Sequence, residues 1–451
     1  MSRIVFRRSC LALSALALTA SSFSFAAFAA DAPPEPILGT PEQDEAERLV
    51  LELAEHPDVK AIQAGLRDQL RETKIGQTKD GAATIDHVVE CMTNSLIFME
   101  VLTYRTTPYF VWGTEDTPRE WRGRRVGCVG TAGDNPDNVY RTTSLQGGVR
   151  YEVTGKFDPS RRATQFIVQA GPGEGSIPPN MATAGSEVVE VLGAFSDREL
   201  DIAPDGSFRL TIGGDTGATN HIVTPPGRVS VGFRDTLGDW NQRPARLSLR
   251  RLDPGEPMPF DRDELRRRVV GRLGDYVRSW SQYATYGFGG LEPNTHSTPT
   301  GRAGGWGFVM GVRFSLQEDE AVALTLSRGE AKYLGFQVVD PWTMAADATK
   351  YQTSLNLAQA TPDRDGNYTY IISPTDPGVA NWLDTTGLHD GFGIVRWQAT
   401  PADETSEGLV RSFRIIKLAD AARLPGIAKI TPTQRQAQLE KRAREWAKRL
   451  H

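Results

Sequence analysis

Cysteine and histidine are scarce in this chain, and their scarcity limits the metal chemistry that it can support. The 451 residues include three cysteines and six histidines, and none of these form a CxxC, HxH or HExxH pattern. Such spacings commonly supply the ligands of zinc and redox metals. The sequence therefore predicts no metal site and no cofactor.

Long apolar runs are also scarce, and the one at the beginning of the chain has the form of a targeting segment. Arg3, Arg7 and Arg8 precede the apolar stretch LALSALALTA, and the small residues of Ala27-Phe28-Ala29 follow it. This order predicts a signal peptide over residues 1–30 and a periplasmic product. Export would use the Sec pathway or, since two arginines are adjacent, the twin-arginine pathway. No later run approaches ~20 apolar residues, so no integral membrane segment is expected after signal removal.

A basic surplus is absent as well. The signal peptide contains three arginines and no acidic residue, so its removal lowers the count of Lys and Arg from 51 to 48 against 56 acidic residues. The remaining net charge of −8 argues against nucleic acid or anionic lipid as the main partner.

The two cysteines that follow the signal peptide are Cys91 and Cys128. A disulfide between them and two separate buried thiols are both compatible with an exported protein. His87 lies four residues before Cys91 on a predicted helix, which is the spacing of a ligand pair. Because the sequence supplies no third or fourth ligand, packing is the better interpretation of His87 and Cys91.

The periodicity of apolar residues predicts a mainly β fold with flanking helices. Two tandem antiparallel β-sandwich repeats, jelly-roll-like in form, are expected between an N-terminal helical hairpin and a C-terminal helix. The predicted segments are a signal peptide (1–30), an N-terminal helical segment (31–105), a first sandwich (106–257), a connecting helix with a Gly-rich joint (258–304), a second sandwich (305–420) and an amphipathic C-terminal helix (421–451).

An internal duplication supports the two repeats. Asn220 follows Asp205 by fifteen residues, and Asn381 follows Asp365 by sixteen. The landmarks that recur in order are an Asp-Gly hairpin turn (Asp205-Gly206 and Asp365-Gly366), an Asn at a corner (Asn220 and Asn381) and an Arg that ends an apolar strand (Arg234 and Arg396).

The stretch GDNPDNVYRTTSLQGGVRYEVTG, residues 133–155, resembles the central signature of a bacterial family catalogued as a domain of unknown function, number twelve-fourteen. The resemblance covers residues 85–290, and a second similar copy covers 305–417. His221 and Val223 stand where that family usually has Trp and Pro. The resemblance implies a sandwich-type fold and an occurrence beside catabolic genes for lipophilic compounds, without an agreed reaction or catalytic residues.

The loop GDNPDN at residues 133–138 has two interpretations. Asn and Asp side chains bond their own backbone, so the loop can be self-contained. Alternatively, Asp137 and Tyr140 face a ligand.

The sequence leaves the reaction unknown and the question of an enzyme open. One hypothesis is a protein that binds, and without redox metal transforms, a small lipophilic or aromatic molecule. The alternatives are a carbohydrate-binding module, in which exposed aromatic side chains stack on sugars, and a periplasmic structural protein. The ligand-binding candidates are Asn381, Trp382, Asp384, Arg396, Trp342, Tyr351, Asn220, His221, Arg234, Tyr140 and Arg141.

Overall fold

A computed structural model describes residues 36–103, 107–173, 191–254, 260–287, 290–302 and 307–450. The predicted signal peptide and most of the Gly-rich joint lie outside the described residues. Helices are α1 (Pro41–Ala54), α2 (Pro57–Arg71), α3 (Lys79–Thr103), α4 (Arg262–Ser281), α5 (Tyr283–Tyr286) and α6 (Pro432–Ala447). Of these described helices, none combines the length and hydropathy needed to cross a membrane.

The helical part has one helix more than the predicted hairpin. Between α1 and α3, His56 accepts a hydrogen bond from the Asp58 amide at the start of α2, and Pro57 occupies the first turn. One stripe of α2, which includes Leu66 and Leu70, is buried. Helices α1, α2 and α4 all pack against α3. Cys91 on α3 and Cys128 are joined by a disulfide.

The first repeat is a sandwich of two sheets. Its strands are β1 (Val111–Thr114), β4 (Asn138–Gly147), β5 (Tyr151–Lys156), β6 (Gln165–Pro172), β7 (Gly193–Ser196), β8 (Ser207–Gly213), β9 (His221–Val223), β10 (Gly227–Thr236) and β11 (Arg246–Arg251), and a separate hairpin is formed by β2 (Arg119–Trp121) and β3 (Arg124–Val126). One sheet has the order β1-β4-β10-β6-β7 and the other β11-β5-β8-β9. Apolar residues of both sheets form one core between them.

The second repeat has the same topology. Its strands are β12 (Thr295–His296), β13 (Thr300–Gly301), β14 (Gly307–Ser315), β15 (Glu320–Leu326), β16 (Tyr333–Val339), β17 (Ser354–Asn356), β18 (Tyr368–Ser373), β19 (Trp382–Asp384), β20 (Asp390–Gln398) and β21 (Val410–Lys417). The sheets have the orders β12-β14-β20-β16-β17 and β19-β18-β15-β21, with β13 beside β14. In both repeats the last pair, β8 with β9 and β18 with β19, is parallel. The predicted fold class and its duplication are confirmed.

The loop GDNPDN of the first repeat is hydrogen-bonded to the second repeat. The Asp137 carboxylate, which is buried, accepts hydrogen bonds from Trp240 Nε1 at 2.6 Å, Asn356 Nδ2 at 2.9 Å and the Tyr333 hydroxyl at 2.7 Å. Tyr333 and Asn356 belong to the second repeat, and Trp240 to the first. Within the loop, Asn135 Oδ1 accepts the Asp137 amide at 3.0 Å. The loop is therefore partly self-contained, and Asp137 points into the protein interior.

Helix α6 covers the second repeat. Thr431 and Gln434 form a reciprocal capping box at its start. Arg435 pairs with Asp376, and Arg442 Nη1 donates to the Ser354 carbonyl at 2.8 Å. These contacts fix the helix on the sandwich.

Replacement of Asp137 by Ala should lower the free energy of unfolding by roughly 3–5 kcal/mol, because each buried donor left unpaired costs about 1–3 kcal/mol. Urea denaturation followed by tryptophan fluorescence measures this change. Asp365, which is exposed in a hairpin turn, is the matched control. Asp365→Ala should change stability by about 0.5 kcal/mol or less. Equal effects of the two variants would contradict the role of Asp137.

Candidate functional site

One face of the five-stranded sheet in the first repeat is polar and only half-buried. Strands β4 and β10 are antiparallel, and their register places Tyr140 opposite Arg234, Thr142 opposite Gly232 and Ser144 opposite Ser230. All six residues are half-buried. The residues that alternate with them along the two strands point the other way and are buried inside the sandwich. Among the described residues, a Cβ atom on Gly232 would meet only the Thr142 methyl group, at 4.0 Å. We call these six residues the polar face.

The corresponding face of the second repeat is apolar and closed. Arg396 pairs with Gly335 as Arg234 pairs with Ile167, so the two arginines occupy equivalent positions on β20 and β10. By the same register, Ile394 is the counterpart of Gly232. Ile394 belongs to a buried apolar cluster with Val339, Ala345 and Phe392. The two repeats therefore differ most at the face where the first has small and polar residues.

Three guanidinium groups are near enough to interact electrostatically at one end of the polar face. Burial and, after it, the positive charges of Arg234 and Arg396 lower the pKa of Arg302 to about 9. Arg234 lies 5.8 Å from the centre of the Tyr140 ring. The ring of Tyr283 is near enough for the charges of Arg302 and Arg396 to act on its hydroxyl. We call Arg234, Arg302 and Arg396 the arginine cluster.

Arg396 is positioned by the loop between the repeats. Its Nη1 donates to Gln337 Oε1 at 2.8 Å and its Nη2 to the Gly133 carbonyl at 2.5 Å. Gln337 Nε2 in turn donates to the Asp134 carbonyl at 2.6 Å. The Tyr140 hydroxyl accepts the Asn135 amide at 3.0 Å. The loop thus holds one arginine and one tyrosine at fixed positions beside the polar face.

The carboxyl group of Asp134 is near enough to this end of the polar face for its charge to act on Tyr140. Burial raises its pKa to about 6, although Arg396 and Arg234 act in the opposite direction. Its Oδ2 atom is buried without a hydrogen-bond partner among the described residues. Burial and the charge of Asp134 also raise the pKa of Asp116 well above its usual range. With this pKa, a fraction of the Asp134 carboxyl is protonated near neutral pH, whereas an exposed aspartate is almost fully ionised there.

The corner Asn381-Trp382 is a structural joint. Asn381 Nδ2 donates to the carbonyls of Thr361 at 2.7 Å and Thr369 at 3.2 Å. Trp382 is 8% exposed, and its Nε1 donates to the Ser373 carbonyl at 3.0 Å while Arg435 lies over its ring. Asp384 is half-buried and accepts the Thr386 amide.

The first repeat contains the same joint. Asn220 Nδ2 donates to the carbonyls of Asp201 and Arg209, which correspond to Thr361 and Thr369. His221 occupies the position of Trp382 and hydrogen bonds through Nδ1 with Thr211 Oγ1 at 2.7 Å. Both corners therefore connect strands within one sheet.

The other candidates are dispersed. Trp342 is buried and donates from Nε1 to the Gly81 carbonyl on α3. Tyr351 is 41% exposed. Arg141 is buried in an ion pair with Asp235, at 2.5 Å, and also donates to the Ala245 carbonyl.

Of the eleven candidates, Tyr140, Arg234 and Arg396 meet at one place. Arg302, Tyr283, Asp134 and Gly232 were not among the predicted site residues. Gly232 could have been found by comparing it with Ile394 in an alignment of the two repeats. Asp134 lies in the loop that was singled out, but its side chain position depends on contacts with the second repeat.

A groove of about 490 Å³ lies beside α1 and is lined in part by Tyr109, Phe110, Leu249 and Phe260. Arg141 also lines it, but its charge is balanced by Asp235. Among its described lining residues, no cluster of like charges comparable to the arginine cluster occurs.

Comparisons with known proteins found no family model and no curated protein that matches. Among solved structures, an uncharacterised protein from Burkholderia cenocepacia has a TM-score of 0.64 at 22% identity, over 82% of this chain and 99% of that one. The VPA0106 protein from Vibrio parahaemolyticus has a TM-score of 0.37 at 11% identity, over 73% and 98%. The first likeness supports the fold alone, and the second is too weak to support an argument.

The raised pKa of Asp134 predicts a pH dependence of stability. A folded-state pKa above the usual value means that the folded protein binds the proton more tightly than the unfolded chain. Protonated Asp134 therefore stabilises the folded state below about pH 4, and this stabilisation is lost as the pH rises through about 6. Relative to Asp134→Asn, the wild type should lose at most roughly 3 kcal/mol over this range, as measured by urea denaturation.

Asp205→Asn is the control, because a hydrogen bond from Ser207 lowers the pKa of Asp205 to about 2, below this window. Its stability difference from the wild type should stay constant from pH 5 to 7, because the contribution of Asp205 is lost only as the pH falls through about 4 and below. Parallel profiles for the wild type and Asp134→Asn would contradict the assignment.

Proposed function

We propose that this protein binds a small organic anion at the polar face of the first repeat, with the arginine cluster holding the anionic group. The observation that carries the proposal is the electrostatic interaction of Arg234, Arg302 and Arg396 beside a half-buried face where, among the described residues, a Cβ atom on Gly232 would meet only the Thr142 methyl group. The second repeat, with Ile394 at the equivalent position, has a closed face and would not bind.

The chemistry of the ligand follows from the groups around the polar face. Guanidinium groups bind carboxylates and phosphates through paired hydrogen bonds, and partial burial strengthens such contacts. The rings of Tyr140 and Tyr283 offer apolar surface and hydroxyl groups to the rest of the ligand. An aromatic or lipophilic body fits this lining, and the resemblance to the family number twelve-fourteen suggests the same class. Membership in that family and export to the periplasm are parts of the proposal.

Proton transfer is the second candidate function. Asp134, with a pKa of about 6, lies where it could accept or donate a proton of a molecule held by the arginine cluster. Such a group suits elimination or isomerisation next to a carboxylate. Binding is the primary proposal because it requires only the arrangement of charges.

The carbohydrate-binding alternative has less support. It needs exposed aromatic rings that can stack on sugars, and Trp382 and Trp342 are 8% and 1% exposed. Tyr351 is exposed, but the other aromatic candidates are not beside it on one open surface.

A ligand screen tests the proposal directly. Benzoate, phthalate and phenyl phosphate should each raise the unfolding temperature of the full chain, whereas benzamide and maltose should not. A ligand at about 100 times its Kd stabilises the folded state by about 2.7 kcal/mol, which thermal denaturation detects. Stabilisation by maltose and by none of the anions would favour the carbohydrate module and overturn the proposal.

Gly232→Ile places the side chain of the closed repeat on the polar face and should weaken anion binding at least about 10-fold. The backbone of Gly232 does not have a positive φ, and Ile is favourable in strands, so the variant should fold. Isothermal titration with whichever anion stabilises the wild type most measures the loss. Thr154→Ile, on an exposed strand position of the other sheet, should bind as the wild type does. Unchanged affinity in Gly232→Ile would place the ligand elsewhere.

A further inference from the structure

The disulfide between Cys91 and Cys128 has a potential metal ligand beside each sulfur. His87, one helical turn before Cys91, has both ring nitrogens 3.6 Å from Cys91 Sγ. The Asp116 Oδ1 atom lies 3.7 Å from Cys128 Sγ. The four groups come from α3, from the residues after β1 and from the residues after β3. The sequence could not supply a third or fourth ligand for His87 and Cys91, but the fold places a ligand atom of Cys128 within 4.8 Å of theirs and Asp116 beside Cys128.

The backbone of one residue, Ala345, orients both flanking ligands. The Ala345 carbonyl lies 3.2 Å from His87 Nε2, and because a carbonyl can only accept, Nε2 carries the proton and Nδ1 keeps its lone pair. The Ala345 amide donates to Asp116 Oδ2 at 2.9 Å, which leaves Oδ1 directed towards Cys128. Hydrogen bonds of this kind, made by the atoms that do not bind the metal, orient ligands in protein metal sites.

We propose that His87, Cys91, Cys128 and Asp116 form a binding site for a divalent zinc-like metal ion when the disulfide is reduced. In a tetrahedral site, bonds of ~2.0–2.3 Å place neighbouring ligand atoms ~3.3–3.8 Å apart. The distance from His87 Nδ1 to Cys91 Sγ is 3.6 Å and that from Asp116 Oδ1 to Cys128 Sγ is 3.7 Å, so both already lie in this range. Two thiolates, one imidazole and one carboxylate are ligand types that zinc accepts.

The redox step is balanced by a dithiol or phosphine reductant. Two electrons and two protons convert the disulfide into two thiols. A dithiol reductant supplies both and becomes a cyclic disulfide, whereas a phosphine supplies the electrons and becomes its oxide, with water giving the oxygen atom and the two protons. Binding of the metal then releases the two thiol protons, because thiolates are the ligands. In the oxidised protein the two sulfurs are bonded to each other, so only His87 and Asp116 remain as metal ligands. The inference goes beyond the proposed function and does not depend on it.

Metal titration of the full chain in its two redox states tests the site. Reduction by tris(carboxyethyl)phosphine without denaturant should increase the thiol count by two per chain. Cobalt(II) added without oxygen should then give sulfur-to-cobalt charge transfer and the visible bands of a tetrahedral ion, at one equivalent. Zinc should displace the cobalt. The oxidised protein should give none of these signals.

Variants separate the site from adventitious binding by two thiols. His87→Ala and Asp116→Asn should each bind zinc at least roughly 100-fold more weakly in the reduced state, the upper end of what loss of an outer partner costs. His56→Ala, on a histidine at the start of α2, is the matched control and should bind normally. Circular dichroism and tryptophan fluorescence check that each reduced variant stays folded.

Three results would overturn the proposal. The first is that the disulfide cannot be reduced without unfolding. The second is that the reduced, folded protein binds no cobalt or zinc. The third is that His87→Ala and Asp116→Asn bind zinc as tightly as the wild type. Loss of anion binding in Gly232→Ile has no bearing on any of them, so the two proposals fail independently.

Discussion

The structure depends on one buried carboxylate, that of Asp137. It accepts hydrogen bonds from both repeats, and a buried charge without such partners would be strongly destabilising. Because Asp137 fixes the loop GDNPDN, the carbonyls of Gly133 and Asp134 meet Arg396 and Gln337 in a single arrangement. The position of the arginine cluster is therefore a consequence of how the two repeats are joined.

The duplication explains why the site is asymmetric on a symmetric scaffold. Both repeats need the same corner, so Asn220 and Asn381 make the same hydrogen bonds. The outer faces of the central strands β10 and β20 need not have the same side chains, because they meet different neighbours. Ile394 closes one face by apolar packing, whereas at Gly232 the described residues place only the Thr142 methyl group within 4.0 Å of a Cβ position. The two repeats thus differ at this outer-face position, where the sandwich core does not require a particular side chain.

The sequence was sufficient for the fold class and for part of the site. Period-two strands and Asp-Gly turns are local signals, and the order of landmarks shared by two repeats reveals the duplication. Arg234 and Arg396 were identified because they recur in that order. Arg302 and Asp134 were not, since their proximity to the cluster depends on how the repeats pack. The sequence predicts Trp382 as a ligand-binding residue because it is a large side chain at a polar corner. In the structure its indole is buried between the sheet, where it donates to the Ser373 carbonyl, and Arg435 of α6.

Gly130 shows how closely the acidic groups between the two candidate sites are packed. A Cβ atom at this position would lie 1.8 Å from Asp116 Oδ1 and 2.9 Å from Asp134 Oδ2, so the two oxygens are less than about 5 Å apart. Two carboxylates this close in the protein interior do not both ionise easily, and the charge of Asp134 adds to burial in raising the pKa of Asp116, whereas burial raises that of Asp134. Asp134 faces the arginine cluster and Asp116 faces the disulfide. The protein therefore tolerates this pair because a proton can take the place of one charge, and any side chain at residue 130 would separate the two groups.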